Sequence, residues 1–256
     1  MDRNSRRGTI KAFLRDGRSP SASSVLVCVG DSITEGVGSA DWVAMLRERV
    51  GSEGVQVVNA GVAGDLSANV LRRLDAVIQC DPDIITLMIG TNDVAAEFFS
   101  SFSRLVLRLK GIKQTPTLDW YEANVSSILR RLRTETRARI AVIEIPMLGE
   151  DLTSEINGRV DRYNEALRSI AEAEGVRCIP LHERLVELLP PGHEPPPYKA
   201  SVGLIIKVQL QHHVLHRSWD DISSRNGLVL LTDHTHLGER AAGVVAEGVA
   251  GFVVAP

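Results

Sequence analysis

Ser24-Val25-Leu26-Val27-Cys28-Val29-Gly30-Asp31-Ser32 is the stretch that decides how this chain folds. Apolar residues run from Val25 to Val29 without polar alternation, and the run stops at a glycine followed by two polar side chains. A strand that reads this way is covered on both faces, as strands are in a parallel sheet. Similar short runs, rich in β-branched residues, recur at 55–58, 84–89, 140–145 and 176–179. Between them the apolar positions switch to helical spacing. Leu66, Val70, Leu71, Leu74, Val77 and Ile78 make one stripe, and Tyr121, Val125, Ile128, Leu129 and Leu132 a second. Ile156, Val160, Tyr163, Leu167 and Ile170 make a third, and Ala241, Val245, Val249 and Phe252 a last one. Strand and helix in strict alternation predict right-handed βαβ crossovers and an α/β fold, a three-layer α/β/α sandwich around a central parallel sheet.

Composition narrows the function. Of 256 residues 44% are hydrophobic, enough to build a core, and 29 basic against 32 acidic residues leave a net charge of only -3. Disorder is excluded as the main state. A duplex nucleic-acid binder is not expected, because no global attraction for phosphate exists. No stretch approaches the ~18 uninterrupted apolar residues of a membrane helix, so no stable membrane insertion is expected. Cys28, Cys80 and Cys178 are too few, and odd in number, for a disulfide scaffold. Arg3, Arg6, Arg7, Lys11, Arg15 and Arg18 precede a Ser-rich stretch with no apolar h-region before Ser24. That predicts a basic arm and linker over 1–23 with little to bury, no secretory signal, and a cytoplasmic location.

One domain is then expected over 24–256, interrupted twice. Residues 94–117 separate the third strand from its helix by more than the usual two to six residues. Residues 190–232 open with Pro190-Pro191 and Pro195-Pro196-Pro197, then run apolar over 202–210 before His212, His213 and His216. Both insertions are apolar enough to fold, and both read as lids. Phe98, Phe99, Phe102, Leu105 and Leu107 fit either a lid face or ordinary core. Tyr198 and Trp219 stand beside the second apolar run, where they are candidates to cover a hydrophobic acyl or aryl group.

Chemistry gathers at the C-terminal ends of strands in such a sheet. The first strand leads into Gly30-Asp31-Ser32-Ile33-Thr34-Glu35-Gly36, the second into Asn59-Ala60-Gly61-Val62-Ala63-Gly64-Asp65, the third into Gly90-Thr91-Asn92-Asp93. With strand order 2-1-3-4-5 these loops are neighbours. Asp233-His234-Thr235-His236 stands just before the last helix. A serine hydroxyl needs an adjacent base, usually a histidine oriented by a carboxylate, and acyl transfer needs donors aimed at the oxyanion. Ser32, His236 and Asp233 supply the first set. The Ser32 and Gly64 N–H groups and the Asn92 amide supply the second. Asp31 is a further candidate to touch substrate.

In these four blocks the sequence resembles the SGNH hydrolases, also called GDSL-type esterases or lipases. The resemblance spans roughly 24–180 and 230–254. It implies a flavodoxin-like α/β/α fold, Ser32 as nucleophile, His236 as base and later acid, and Asp233 as its orienter. It implies an oxyanion hole of Ser32, Gly64 and Asn92, a small-molecule ester as substrate, and no metal or organic cofactor. The last block departs from the family's usual Asp-Gly-x-His-Pro, with His234 in the Gly place and Leu237 in the Pro place. Spacing from Asp233 favours His236 over His234 as the base.

Other readings compete. The same site would serve transfer of the acyl group to a sugar or other alcohol. A non-catalytic binding module of this fold would have lost Ser32, Asn92 or His236, and none is lost. A metallohydrolase would draw on His212, His213 and His216, which fit a solvated or lid-packing cluster better. His182-Glu183 lacks the second histidine of a zinc-binding helix, and neither G-x-G-x-x-G nor G-x-S-x-G is present.

Overall fold

The computed structural model describes residues 9–98, 107–199 and 201–255. Its sheet contains β1 (Ser24–Gly30), β2 (Val55–Gly61), β3 (Ile84–Met88), β4 (Arg139–Ile143) and β5 (Arg177–Ile179). Neighbours all pair in parallel, in the order β2-β1-β3-β4-β5. The described helices are α1 (Ile10–Asp16), α2 (Ser32–Glu35), α3 (Trp42–Val50), α4 (Ser67–Arg72), α5 (Leu74–Ile78) and α6 (Thr91–Phe98). They continue with α7 (Leu118–Glu135), α8 (Glu155–Ala173), α9 (His182–Val186), α10 (Val202–His213), α11 (Trp219–Arg225) and α12 (Glu239–Val254). Among them no helix is long and apolar enough to cross a membrane.

The continuous apolar runs have the cause expected of them. Along β1, Leu26 and Cys28 face a core shared with Trp42 and Leu46 of α3, Ile222 of α11, and Val245 and Val249 of α12. Val25, Val27 and Val29 face the opposite way, onto Val70, Leu74, Tyr121, Ile128, Val160 and Tyr163 from α4, α5, α7 and α8. Successive side chains point to opposite faces of a strand, so two covered faces demand an unbroken apolar run. Fully burying each such aliphatic side chain is worth roughly 1.5–3 kcal/mol. The sheet is therefore the middle of three layers.

Three features differ from the sequence reading. The stripe from Leu66 to Ile78 is two short helices, α4 and α5, that meet at Arg73. The lid-like insertion expected over 94–117 begins inside α6, which starts two residues after Ile89, and Leu107 joins Leu66 and Ala96 in a satellite cluster. The N-terminal arm is the plainest correction. Thr9 caps α1 by accepting from Ala12 N and bridges to Asn59 of β2. Ala12 and Phe13 are buried, with Phe13 in the same core as Val58 and Leu74. The amphipathic spacing was too short to register beside six basic residues. Of these, Arg3, Arg6 and Arg7 lie outside the described residues.

Phe13→Ala tests that anchorage. Loss of a buried ring is expected to cost ~3 kcal/mol, and in a chain of this size about 6–12 °C of Tm. Thermal unfolding monitored by circular dichroism measures it, and an unchanged Tm would mean that α1 contributes nothing to the fold.

Candidate active site

Ser32 is placed by the end of β1. Asp31 caps α2 with Oδ1, which accepts from Ile33 N at 3.0 Å, and the chain then turns so tightly that Gly36 ends the helix at φ +84. Approach of the loops is very close here. A Cβ on Gly61, at the end of β2, would lie 2.2 Å from the backbone nitrogen of Glu35 and 2.7 Å from Thr34 C. Only glycine lets β2 end against the α2 backbone. The neighbouring turn is joined to α2 twice more, by Asn59 Nδ2 donating to Thr34 O at 2.7 Å and Ala63 N donating to Glu35 Oε2 at 2.5 Å.

The second half arrives from far along the chain. Leu231 and Leu237 form an isolated antiparallel bridge, and Thr232 N donates to His236 O at 2.7 Å, so 232–236 is a closed turn. Inside it Asp233 Oδ1 accepts from His236 N at 2.9 Å and Thr235 N at 3.2 Å. His236 Nδ1 lies 2.8 Å from Asp233 Oδ2, and its Nε2 lies 2.9 Å from Ser32 Oγ. The turn precedes the last helix, which begins only at Glu239. His234 faces elsewhere. It adopts φ +72, meets the ring of Tyr198 edge-on at 5.8 Å, and its buried Nδ1 has no partner among the described residues.

Burial alone works to lower the pKa of His236. Asp233 in contact, with Asp31 also acting on the ring, outweighs it and holds the imidazole above its usual 6.5. Burial works the opposite way on Asp233, but His236 and the turn's N–H groups keep that carboxylate below 3.8. For His234 burial wins, and its pKa is lowered. A hydroxyl hydrogen-bonded to the far nitrogen of a carboxylate-oriented imidazole can pass its proton along that bond.

The candidate oxyanion donors are the Ser32 and Gly64 N–H groups and the Asn92 amide. Among the described residues nothing accepts from Ser32 N–H or from Gly64 N–H, the latter in a turn at φ +74 that favours glycine. Asn92 differs. Its Nδ2 donates to Asp65 O at 3.0 Å and to Asp31 Oδ2 at 3.2 Å, which engages both amide protons. Burial pushes the Asp31 carboxyl up to about 7, against the bond from Ile33, and pushes Asp93 up to about 6.

The other sequence candidates fare unevenly. Asp31 is 1% exposed and occupied by Ile33 and Asn92, so it supports the turn and presents no face to a substrate. Trp219 is a core residue. It stacks on His212 at 3.8 Å and is 7% exposed, because α11 packs it inward beside Ile222. Phe98 meets the Arg159 guanidinium at 5.5 Å, on the α8 side. Phe99, Phe102 and Leu105 lie outside the described residues. Tyr198 does border the site, with its hydroxyl 3.3 Å from Thr235 Oγ1. His212 bonds Arg217 O, and among the described residues no cluster of His, Cys, Asp and Glu is arranged to hold a metal ion.

Sequence reasoning missed the residue that holds the second half in place. Glu150, its side chain fully buried, accepts from Val229 N, Leu230 N and Leu231 N at 2.7–3.0 Å and bonds His193 Nε2 at 2.7 Å. Gly149 N adds a bond to His234 O at 2.7 Å. No motif spacing links Glu150 to a turn some eighty residues later. Glu150 stands beside Asp151 where the apolar run ends, and nothing in the sequence singles it out.

Comparison with known proteins agrees with this architecture. Residues 28–202 match the GDSL-like Lipase/Acylhydrolase family. The matched range holds Ser32, Gly64 and Asn92 and stops before Asp233 and His236. The chain is similar to Esterase TesA of Pseudomonas aeruginosa, 41% identical over 78 residues, which cover 28% of this chain and 39% of that protein. It is similar to an acetylxylan esterase of Geobacillus stearothermophilus, 28% identical over 165 residues, 57% of this chain and 71% of the relative. It is also similar to Thioesterase 1/protease 1/lysophospholipase L1 of Escherichia coli, at 31% over 118 residues, 44% and 52% of the two chains. The chain thus spans about two fifths and about half of the first and last of these relatives. The solved acetylxylan esterase Axe2 of Geobacillus stearothermophilus superposes with a TM-score of 0.64 at 19% identity, over 92% of this chain and 96% of that one. LAE5, from the metagenome of Lake Arreo, gives 0.59 at 19%, over 92% and 98%. At such identities the likeness is one of fold.

Glu150→Ala would leave the buried N–H groups of Leu230 and Leu231 and the half-buried one of Val229 without an acceptor. The expected cost is ~3–5 kcal/mol, read by urea denaturation. Amide hydrogen exchange at Val229, Leu230 and Leu231 should speed up selectively, and unchanged exchange there would deny Glu150 its anchoring role.

Proposed function

This chain belongs to the GDSL-like lipase/acylhydrolase family, and from that premise we propose that it hydrolyses carboxylic esters through an acyl-serine intermediate on Ser32. The hydrogen-bond chain from Asp233 through His236 to Ser32, 2.8 Å and 2.9 Å long at its two links, carries the proposal. Ser32 Oγ attacks the ester carbonyl carbon while its proton passes to His236 Nε2. The new imidazolium is stabilised by Asp233, which stays ionised. His236 then gives that proton to the departing alkoxide as the ester C–O bond breaks. Water attacks the acyl-serine with the same base, and the carboxylic acid leaves as Ser32 recovers its proton.

Negative charge develops on the former carbonyl oxygen in both tetrahedral intermediates. In this reading the Ser32 and Gly64 N–H groups, which have no acceptor among the described residues, receive it. Asn92 joins them by exchanging its 3.2 Å bond to Asp31 Oδ2 for one to the oxyanion. The names of the relatives, an esterase, an acetylxylan esterase and a thioesterase, support acyl-ester chemistry as the class. Tyr198 and the 190–232 segment border the His236 turn and are proposed to set which ester fits.

A fluorophosphonate probe should label Ser32, and p-nitrophenyl acetate should be turned over. Ser32→Ala should lose both while keeping its Tm; labelling at another serine would overturn the assignment. Asn92→Ala should lower kcat by ~10²–10³ with a smaller change in KM, as expected for one oxyanion donor.

The pH profile separates the two histidines. The base must be neutral, so kcat/KM should fall as pH drops through the His236 pKa, with a midpoint above 6.5 because Asp233 favours the imidazolium. His236→Ala should abolish turnover, whereas His234→Ala should retain both turnover and the acid limb. An active His236→Ala beside an inactive His234→Ala would reverse the assignment.

A further inference from the structure

Lys110 belongs to the segment between β3 and α7, more than forty residues from Gly64, yet its side chain lies across that glycine. A Cβ built on Gly64 would sit 3.0 Å from Lys110 Cε and 3.7 Å from Nζ. Lys110 Nζ donates to Ala63 O, the carbonyl just before Gly64, and to Asp65 Oδ1 at 2.9 Å, just after it. The ammonium therefore clamps the turn on both sides of the Gly64 N–H. The backbone beneath it is fixed as well: Asn69 Nδ2 donates to Lys110 O at 3.0 Å, and Arg72 donates to the same carbonyl. Leu107 and Ile112 seat the segment against Leu66.

Charge makes the clamp more than mechanical. Asp31, Asp65 and Asp93 are all buried, and Asp65 and Asp93 both act on Asp31 electrostatically. Any further negative charge forming beside this group is disfavoured unless cations offset it. Asp65 has two cationic partners, Lys110 at 2.9 Å and Arg73 at 2.7 Å, and Arg73 also donates to Gly30 O at 3.0 Å, one strand end from Ser32. Lys110 is the member of this network that also touches the Gly64 turn.

We infer that Lys110 is a positioning residue for the reaction proposed above, one that holds the Gly64 N–H at the oxyanion and offsets the Asp31, Asp65 and Asp93 charge beside it. The inference rests on the Ser32 reading and makes the 107–112 segment part of the reaction's apparatus.

Lys110→Met keeps the length of the side chain and removes its charge and hydrogen bonds. With active sites counted by fluorophosphonate titration, kcat per site should fall on the order of tenfold, less than for a direct oxyanion donor. KM should stay within about twofold and the acid midpoint should not move, since a positioning group is felt mainly in the transition state. Lys110→Arg should recover part of the loss, and Lys113→Met, an exposed lysine nearby, should match the wild type. Unchanged kcat per site in Lys110→Met, even with a lowered Tm, would overturn the inference alone. A rise in KM with kcat intact would overturn it too, by making Lys110 a substrate contact. A wild type that neither turns over esters nor labels at Ser32 would overturn the reading of the site and this inference with it.

Discussion

The Glu150 carboxylate receives three consecutive backbone N–H groups, Val229, Leu230 and Leu231, with no solvent to share the work. Everything distinctive about the site depends on that bond. Among the described residues the turn carrying Asp233 and His236 belongs to no strand of the sheet, and its sheet-like pairing is the Leu231–Leu237 bridge across its own neck. Free N–H groups at its base would each cost ~1–3 kcal/mol if buried unpaired. A buried acceptor removes that cost and fixes the turn to the loop that follows β4. His193 and the 190–198 strap then close over the same carboxylate.

The opposite side of the site depends on close approach. The ends of β1, β2 and β3 bring their loops within backbone contact, so small residues occupy the junctions and polar groups bind across them. Asn59, Glu35, Arg73 and Lys110 each tie one loop to another. Rigidity of this kind matters because donors stabilise charge only where they already point when the charge forms. It also has an electrostatic consequence. Carboxylates that cap and brace the loops accumulate, and the pKa of Asp31 rises to about 7 under burial. Arg73 and Lys110 counter that accumulation from two different helical segments.

Much of this was legible in the residues alone. Period and length predicted five parallel strands, because a strand covered on both faces has no polar positions; their order was only supposed there and is seen in the pairing of the sheet. Ser32, Gly64 and Asn92 stood out as candidates because each stands at a strand end, in a turn rich in glycine and polar groups. Asp233 and His236 were singled out by the three-residue spacing that the family resemblance implies, though the family match ends at residue 202. Trp219 and Asp31 misled, since an aromatic beside an apolar run and an acid beside a serine look alike whether they face solvent or core.

Only the tertiary structure decided which charges meet. Local rules reach three or four residues along a helix or two along a strand. Glu150 with Leu230, Lys110 with Gly64 and Phe13 with Leu74 bring together segments far apart in the chain, whose separation carries no period. The sequence by itself therefore determined the sheet, the loops and the reactive residue types. Packing determined which buried carboxylate anchors the His236 turn and which lysine lies over the Gly64 turn. The physical reason is that a periodic pattern records which face of an element is buried, whereas the partner of a single buried charge is set by the global arrangement of those faces.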